Sequence, residues 1–245
     1  MRIAIVSDIH GNLPALEAVA KDLRRRGADA VVNLGDSLSG PLMPLETAQY
    51  LMAQDWVHLS GNHERQMLTQ GPGQWGPSDA YAHSTLTSVE LEWMASLASS
   101  TQYHSGFFLC HGTPASDSEY FLETVDAAQV RPATQREVDR RLGKVGAIMV
   151  ACGHTHLPRS IRASTGTLIV NPGSVGLPAY DDVHPHPHVI ETGSPDARYA
   201  IVDQQGTRLT ATLISVPYPF RAMAQLAAAR RRPDWACALA SGYLS

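Results

Sequence analysis

Short apolar runs alternate with helically spaced segments at the start of the chain. Residues 2–7 form a β-rich run that predicts a buried strand. Residues 13–25 carry apolar side chains at helical spacing, and Asn12 stands at the position of an N-cap. The same alternation continues with a strand at 30–34, a helix at about 42–53 and a strand at 56–59. This order predicts a layered α/β fold in which neighbouring strands run parallel.

The segment 65–100 has a different character. Its Gly- and Pro-rich part, residues 70–78, predicts a loop, and residues 88–98 have helical spacing. We interpret this segment as a small helical cap inserted into the α/β domain.

Strands resume in the second half of the chain, at 107–110 and 147–152, with a helix at 134–142 between them. Two hairpins are predicted, one pairing 159–162 with 167–170 and one pairing 199–203 with 209–214. The tail, 217–245, is predicted to be helical and to break at Pro233. The whole chain, 1–245, is predicted to form one domain.

Composition narrows the function classes. The 245 residues are 44% hydrophobic and 17% charged, with a formal net charge of -4. A basic groove for nucleic acid or for an anionic membrane is therefore not expected, although weak nucleic-acid binding stays open because a metal site attracts phosphate. The N-terminus lacks the apolar stretch of a signal peptide, and the three cysteines form no CxxC pair, so we expect a cytoplasmic protein with free thiols.

Polar motifs follow five of the apolar runs, at the points where strands end. Rigid strand ends can hold ligand atoms to the tolerance that a metal requires, and residues two apart on an extended backbone share a side. On that basis Asp8 and His10 address one metal, and His154 and His156 share a face. The motifs are Ser7-Asp8-Ile9-His10, Gly35-Asp36, Gly61-Asn62-His63-Glu64, His111-Gly112 and Gly153-His154-Thr155-His156.

These side chains are oxygen and nitrogen ligands without a thiolate. That donor set favours Mn, Fe, Ni, Co or Zn over a structural cysteine-zinc site. One shared carboxylate suits a pair of metal ions about 3.5–4 Å apart. Taken singly, an aspartate at a strand end can be a helix cap and paired histidines can be solvated, but five such motifs in this order favour a metal centre.

The set of motifs resembles the calcineurin-like metallophosphoesterase superfamily. The surrounding residues, including His111-Gly112-Thr113-Pro114 and Asn171-Pro172-Gly173-Ser174, are similar to its small bacterial and archaeal phosphodiesterase branch. The resemblance extends from Met1 to about Asp203. It implies a four-layered α/β/β/α sandwich.

The resemblance also implies a role for each matching residue. One metal ion would be bound by Asp8, His10 and His156, and the other by Asn62, His111 and His154, with Asp36 bridging the two. His63 would lie beside the scissile phosphate, where it would steady a phosphate oxygen or protonate the leaving group. A hydroxide held by the two metal ions would attack phosphorus in line.

Two departures from the superfamily concern substrate choice. Ser39 stands where the protein-phosphatase branch has an aspartate that orients the catalytic histidine. We therefore expect His63 to lack a charged partner and the substrate to have a leaving group that needs little protonation. The second departure is a longer loop, 177–196, whose residues His184, His186 and His188 resemble an extra metal site but fit a mobile surface loop better.

The sequence thus predicts metal-dependent hydrolysis of a small or nucleotide-like phosphodiester. A phosphomonoesterase and a dinucleoside-polyphosphate hydrolase would use the same ligands. A binding scaffold, like the retromer subunit with this fold, is disfavoured because every expected ligand is present. Tyr120 and Arg159 are speculative substrate contacts, and the arginines at 24–26 and 230–232 are interpreted as solvated charges near helix ends.

Overall fold

Two five-stranded sheets form the centre of the protein, seen in a computed structural model that describes residues 1–104, 106–127 and 129–244. The first sheet has the strand order β14-β13-β1-β2-β3. β1 pairs in parallel with β2, and β2 pairs in parallel with β3, as the sequence predicts. Its strands are β1 Arg2–Val6, β2 Ala30–Asn33, β3 Val57–His58, β13 Ala197–Gln205 and β14 Arg208–Val216.

The second sheet has the order β4-β5-β8-β10-β9. Its central strands β5, β8 and β10 are parallel, and β9 returns antiparallel to β10, which confirms the first predicted hairpin. Its strands are β4 Ser100–Tyr103, β5 Phe107–Cys110, β8 Met149–Ala151, β9 Arg159–Arg162 and β10 Leu168–Asn171.

The alternation of side chains along the strands produces the four layers. On β1, Ile3 and Ile5 face the second sheet, whereas Ala4 and Val6 face the helices α1 Leu13–Arg26, α7 Phe220–Ala229 and α8 Pro233–Ser241. On the far side, Val150 of β8 packs against α6 Gln135–Leu142. The α/β/β/α sandwich is therefore confirmed.

The segment 65–100 is more helical than its sequence indicates. It contains the end of α3 Asn62–Thr69 and all of α4 Pro77–Thr85 and α5 Ser88–Ser96, and it lies beside α2 Pro44–Met52. The prediction of a loop over 70–78 is wrong at its end, because Pro77 is a suitable first residue for α4. No helix in the described part of the chain is both long and apolar enough to cross a membrane.

The segment 177–196 is a hairpin for part of its length, so the prediction of a loop needs correction. β11 Ala179–Asp182 pairs with β12 His188–Glu191, and Asp182 lies opposite His188. A second small hairpin, β6 Glu123–Asp126 with β7 Gln129–Pro132, was not predicted.

Backbone hydrogen bonds draw the strand ends of both sheets together. The loop after β1 donates from Asp8 N to Gly35 O at 3.0 Å, and the loop after β10 donates from Gly176 N to Asp8 O at 3.0 Å. Gly153 N donates to His111 O at 2.7 Å, which joins the loops after β5 and β8. The polar motifs therefore meet at one edge of the sandwich.

Candidate metal centre

Left-handed backbone conformations mark the proposed ligands. Asp8, His10, Asp36, His154 and His156 all have φ between 51° and 69°. Such angles are uncommon for residues other than glycine and cost about 1–3 kcal/mol each, so they persist where the surrounding structure enforces them. Five strained candidate ligands at one edge indicate a functional site that the fold maintains.

The first cluster of ligand atoms comprises Asp8, His10 and His156, which are all buried and offer one atom each within 4.8 Å of one another. His10 Nδ1 lies 2.8 Å from Ser39 O, and His156 Nδ1 lies 2.7 Å from Leu177 O. Because a carbonyl oxygen only accepts, each Nδ1 carries the proton and each Nε2 is left with a free lone pair.

The second cluster comprises Asp36, His111 and His154, again within 4.8 Å of one another. His111 Nδ1 lies 2.9 Å from Leu34 O, so its Nε2 is free as a ligand and lies 3.0 Å from Asp36 Oδ2. His154 Nε2 lies 3.1 Å from Ser118 O, which leaves Nδ1 as its ligand atom. The two clusters adjoin, because Asp8 Oδ1 lies 3.8 Å from His111 Nε2.

His154 and His156 fall into different clusters, which corrects the expectation that they share a face. That expectation assumed an extended backbone between them. The left-handed angles at both residues, with φ of 69° and 58°, replace the strand-like alternation, so the rule that residues two apart share a side does not apply here.

Unsatisfied atoms show that the clusters suit cations. His10 Nε2 and His156 Nε2 face each other at 3.2 Å, although both carry lone pairs. Within the described residues, Asp8 Oδ1 and Asn62 Oδ1 are buried without a hydrogen-bond partner. Groups of this kind are costly to bury unpaired, and a cation at each cluster would satisfy them.

His10 and Asp8 already have the protonation states that ligation requires, whereas His111 would lose a proton on binding a metal. Burial lowers the pKa of His111, but the charge of Asp36 outweighs burial and raises that pKa to about 10. Burial, followed by the charge of His156, lowers the pKa of His10 to about 3, so its ring is neutral at pH 7. Burial opposes ionisation of Asp8, but His156 and His111 lower its pKa to about 2. A neutral imidazole and an ionised carboxylate are the ligand forms of these side chains.

His63 has a charged partner, so the prediction that it lacks one is wrong. Its Nδ1 lies 2.8 Å from Oδ1 of Asp79, a residue of α4 that is 3% exposed. Burial lowers the pKa of His63, but the charge of Asp36 and the hydrogen bond to Asp79 outweigh burial and raise that pKa to about 9. The carboxylate missing at Ser39 is thus supplied from another element.

A cleft of about 1060 Å³ opens over the two clusters, with His63 on its wall. This volume suits a ligand of nucleotide size. Arg232 and Trp235 of the C-terminal tail and Tyr180 of β11 line it, as does His184 from the tip of the β11–β12 hairpin. Neither ligand cluster includes His184, His186 or His188.

Glu64 holds the backbone next to the candidate ligand Asp36. The sequence alone did not indicate this role. Its carboxylate is fully buried and accepts hydrogen bonds from the backbone N–H groups of Asp36, Ser37 and Gly61, each at 2.8 Å. It joins the loop after β2 to the start of α3. The available signal was an acidic residue at the third position of a helix, which is typical of a capping box.

Other candidates have structural contacts. Asn12 Oδ1 accepts from Ala15 N at 3.3 Å, which confirms the predicted cap. Asn171 Nδ2 donates to Gly153 O at 2.8 Å and holds that loop. Arg159 donates to Leu122 O at 3.2 Å, and Tyr120 is 8% exposed with its hydroxyl 2.9 Å from His188 Nε2.

Gly61 leaves no room for a side chain beside Asp36. A Cβ atom at Gly61 would lie 2.2 Å from Asp36 Oδ1. We expect Gly61→Ala to displace the carboxylate and to weaken metal binding by about 10- to 100-fold, measured by calorimetric titration with Mn²⁺. Gly71→Ala, where a Cβ meets nothing within 4 Å, is the control. Equal metal affinity in both variants would contradict a ligand role for Asp36.

Comparisons with known proteins show the family and the fold. Residues 1–194 match the calcineurin-like phosphoesterase superfamily domain. A metallophosphoesterase from Sphaerobacter thermophilus has a similar structure, with 25% identity, coverage of 99% of each chain and a TM-score of 0.78.

Two archaeal proteins are also similar over most of their length. A hypothetical protein from Pyrococcus horikoshii shares the fold at 17% identity, with a TM-score of 0.74 and coverage of 100% of this chain and 99% of the other. An uncharacterised protein from Methanocaldococcus jannaschii is 23% identical over 258 residues, which cover 95% of this chain and 94% of the relative.

Proposed function

Since this chain belongs to the calcineurin-like phosphoesterase superfamily, we propose that it is a phosphodiesterase with two metal ions. The observation that carries the proposal is the pair of adjoining Asp/His clusters, in the first of which His10 Nε2 and His156 Nε2 face each other at 3.2 Å with free lone pairs. Few arrangements other than a dinuclear centre place so many unpaired ligand atoms at one edge of a fold.

The residues divide into two ligand sets around one carboxylate. Asp8, His10 and His156 would hold one metal ion, the side chains of Asn62, His111 and His154 the other, and Asp36 would contact both. Mn, Ni, Fe, Co and Zn all suit this donor set. Bound there, the ions would neutralise phosphate charge and activate water. His63 stands on the cleft wall, where it can donate a proton to a phosphate or leaving-group oxygen.

The charge of the cleft favours a diester over a monoester. The two arginines of its lining are already engaged: Arg232 lies 2.6 Å from Asp234, and Arg141 Nη1 donates to Glu123 O at 2.9 Å. Outside the two clusters, carboxylates outnumber these arginines on the wall: Asp79, Glu119, Glu123, Asp181, Asp182 and Asp234. A phosphodiester brings one negative charge fewer than a monoester dianion into these surroundings.

The test is a phosphoester panel on protein of known metal content. We expect protein loaded with Mn²⁺ to hydrolyse bis(4-nitrophenyl) phosphate, and to lose this activity when a chelator removes the metal. Turnover of the diester should exceed that of 4-nitrophenyl phosphate. Protein that binds no divalent metal and hydrolyses neither ester would refute the proposal, and a preference for the monoester would refute the diesterase assignment alone.

A further inference from the structure

We propose that Asp79 positions His63 to protonate the leaving oxygen, and that the site therefore hydrolyses phosphodiesters with alkoxide leaving groups, such as sugar hydroxyls. The inference rests on the proposed function. It reverses the expectation drawn from Ser39, which favoured substrates whose leaving groups need little protonation.

The first step is the geometry of the pair. Asp79 Oδ1 lies 2.8 Å from His63 Nδ1, and the Asp79 side chain is 5% exposed, whereas that of His63 is 29% exposed and faces the cleft. A carboxylate only accepts, so Nδ1–H donates to Asp79 and Nε2 is the nitrogen left for the substrate. The His63 ring also lies close to the ligands, with its centroid 5.6 Å from that of His10.

The second step is how firmly Asp79 is held. Arg232 Nη1 donates to Ser78 Oγ at 2.9 Å, next to Asp79 on α4. Arg230 stacks on Tyr81 of the same helix at 4.7 Å, and it donates to Pro41 O at 2.7 Å. These two arginines are therefore not simply solvated, as their sequence suggested. Both arginines help to hold α4 in place. They belong to the C-terminal tail, which lies beyond the residues 1–194 that match the family.

The third step is the chemistry that this pair allows. A water oxygen forms a bond to phosphorus as the bond from phosphorus to the leaving oxygen breaks. The proton on His63 Nε2 passes to that leaving oxygen, and the proton of the attacking water passes to solvent. Nδ1–H stays on His63, hydrogen-bonded to Asp79, which orients the ring so that Nε2 points to the substrate. Solvent then returns a proton to Nε2.

The contribution of such a proton depends on the leaving group. An alkoxide leaves with difficulty unless it is protonated, so the pair would contribute about 10²- to 10⁴-fold to its departure. A 4-nitrophenolate leaves without a proton, so the pair contributes little to its departure. Substituting a residue that only maintained the fold would lower the hydrolysis of alkyl and nitrophenyl esters by the same factor.

The experiment compares Asp79→Asn with the wild type, both loaded with Mn²⁺, on three diesters of thymidine 5′-phosphate. The leaving groups are 4-nitrophenol, phenol and the 3′-hydroxyl of a second thymidine. We expect the variant to lose less than about fivefold in kcat/KM on the nitrophenyl ester and at least about 100-fold on the dinucleoside ester. A uniform loss, or no loss, on the three esters overturns the inference.

Controls separate this inference from the proposed function. Asp55→Asn, at an exposed aspartate after α2, should match the wild type on all three esters. Asp79→Glu keeps a carboxylate and should recover part of the dinucleoside activity, and it serves as the second variant if Asp79→Asn does not fold. A wild type active on the nitrophenyl ester supports the proposed function whatever the variant does, and a wild type inactive on every ester overturns both.

Discussion

Replacing Asp36 with asparagine is expected to lower kcat/KM for bis(4-nitrophenyl) phosphate by roughly 10³-fold and to reduce the metal content below two ions per chain. The Asp36 side chain is 2% exposed, its Oδ2 lies 3.0 Å from His111 Nε2, and its Oδ1 accepts from His63 N at 3.0 Å. Asparagine keeps the shape but removes the charge that both ions would share. Elemental analysis and steady-state kinetics measure the two effects.

Asp55→Asn is the matched control for this substitution, because it removes the same charge from an exposed position. It should bind metal and turn over substrate like the wild type. Full metal content together with undiminished activity in Asp36→Asn would show that the ligand assignment is wrong. Unfolding midpoints of both variants, measured without metal, establish that a loss of activity is not a loss of fold.

Much of the centre could be predicted because its ligands are tied to strand ends. Apolar runs such as 2–7 and 107–110 define buried strands, and parallel strands in open α/β sheets gather their carboxyl ends at one edge. Asp8, Asp36 and His111 come within three positions of the ends of such strands, so their convergence requires only the topology. The exact backbone at each ligand was not predictable, which is why His154 and His156 were expected on one face.

The partner of His63 could not be predicted because it depends on how one helix docks. Asp79 lies sixteen positions after His63 in the sequence. It follows a Gly- and Pro-rich run that has no periodic pattern of apolar residues. α4 starts at Pro77, and its placement depends on apolar packing against α2 and α3 and on contacts from Arg230 and Arg232, which come from the other end of the chain. Contacts of this kind leave no local signal.

Glu64 is another residue whose importance emerges only from its partners, and its removal should destabilise the protein strongly. Glu64→Ala would leave three buried backbone N–H groups, of Asp36, Ser37 and Gly61, without their acceptor. We expect the free energy of unfolding to fall by about 3–5 kcal/mol, because each unsatisfied donor costs about 1–3 kcal/mol and the loop relaxes in part. Urea denaturation in the presence of a chelator measures this change without a contribution from bound metal.

Two further variants make that prediction specific to hydrogen bonding. Glu64→Gln keeps one oxygen acceptor but turns an NH₂ group toward a donor. Its free energy of unfolding should therefore lie between those of the wild type and Glu64→Ala. Glu92→Ala removes an exposed glutamate from α5 and should change the free energy by no more than about 0.5 kcal/mol. If Glu64→Ala were as stable as Glu92→Ala, the loop after β2 would be held by other contacts, and the strained angle of Asp36, with φ of 51°, would need another explanation.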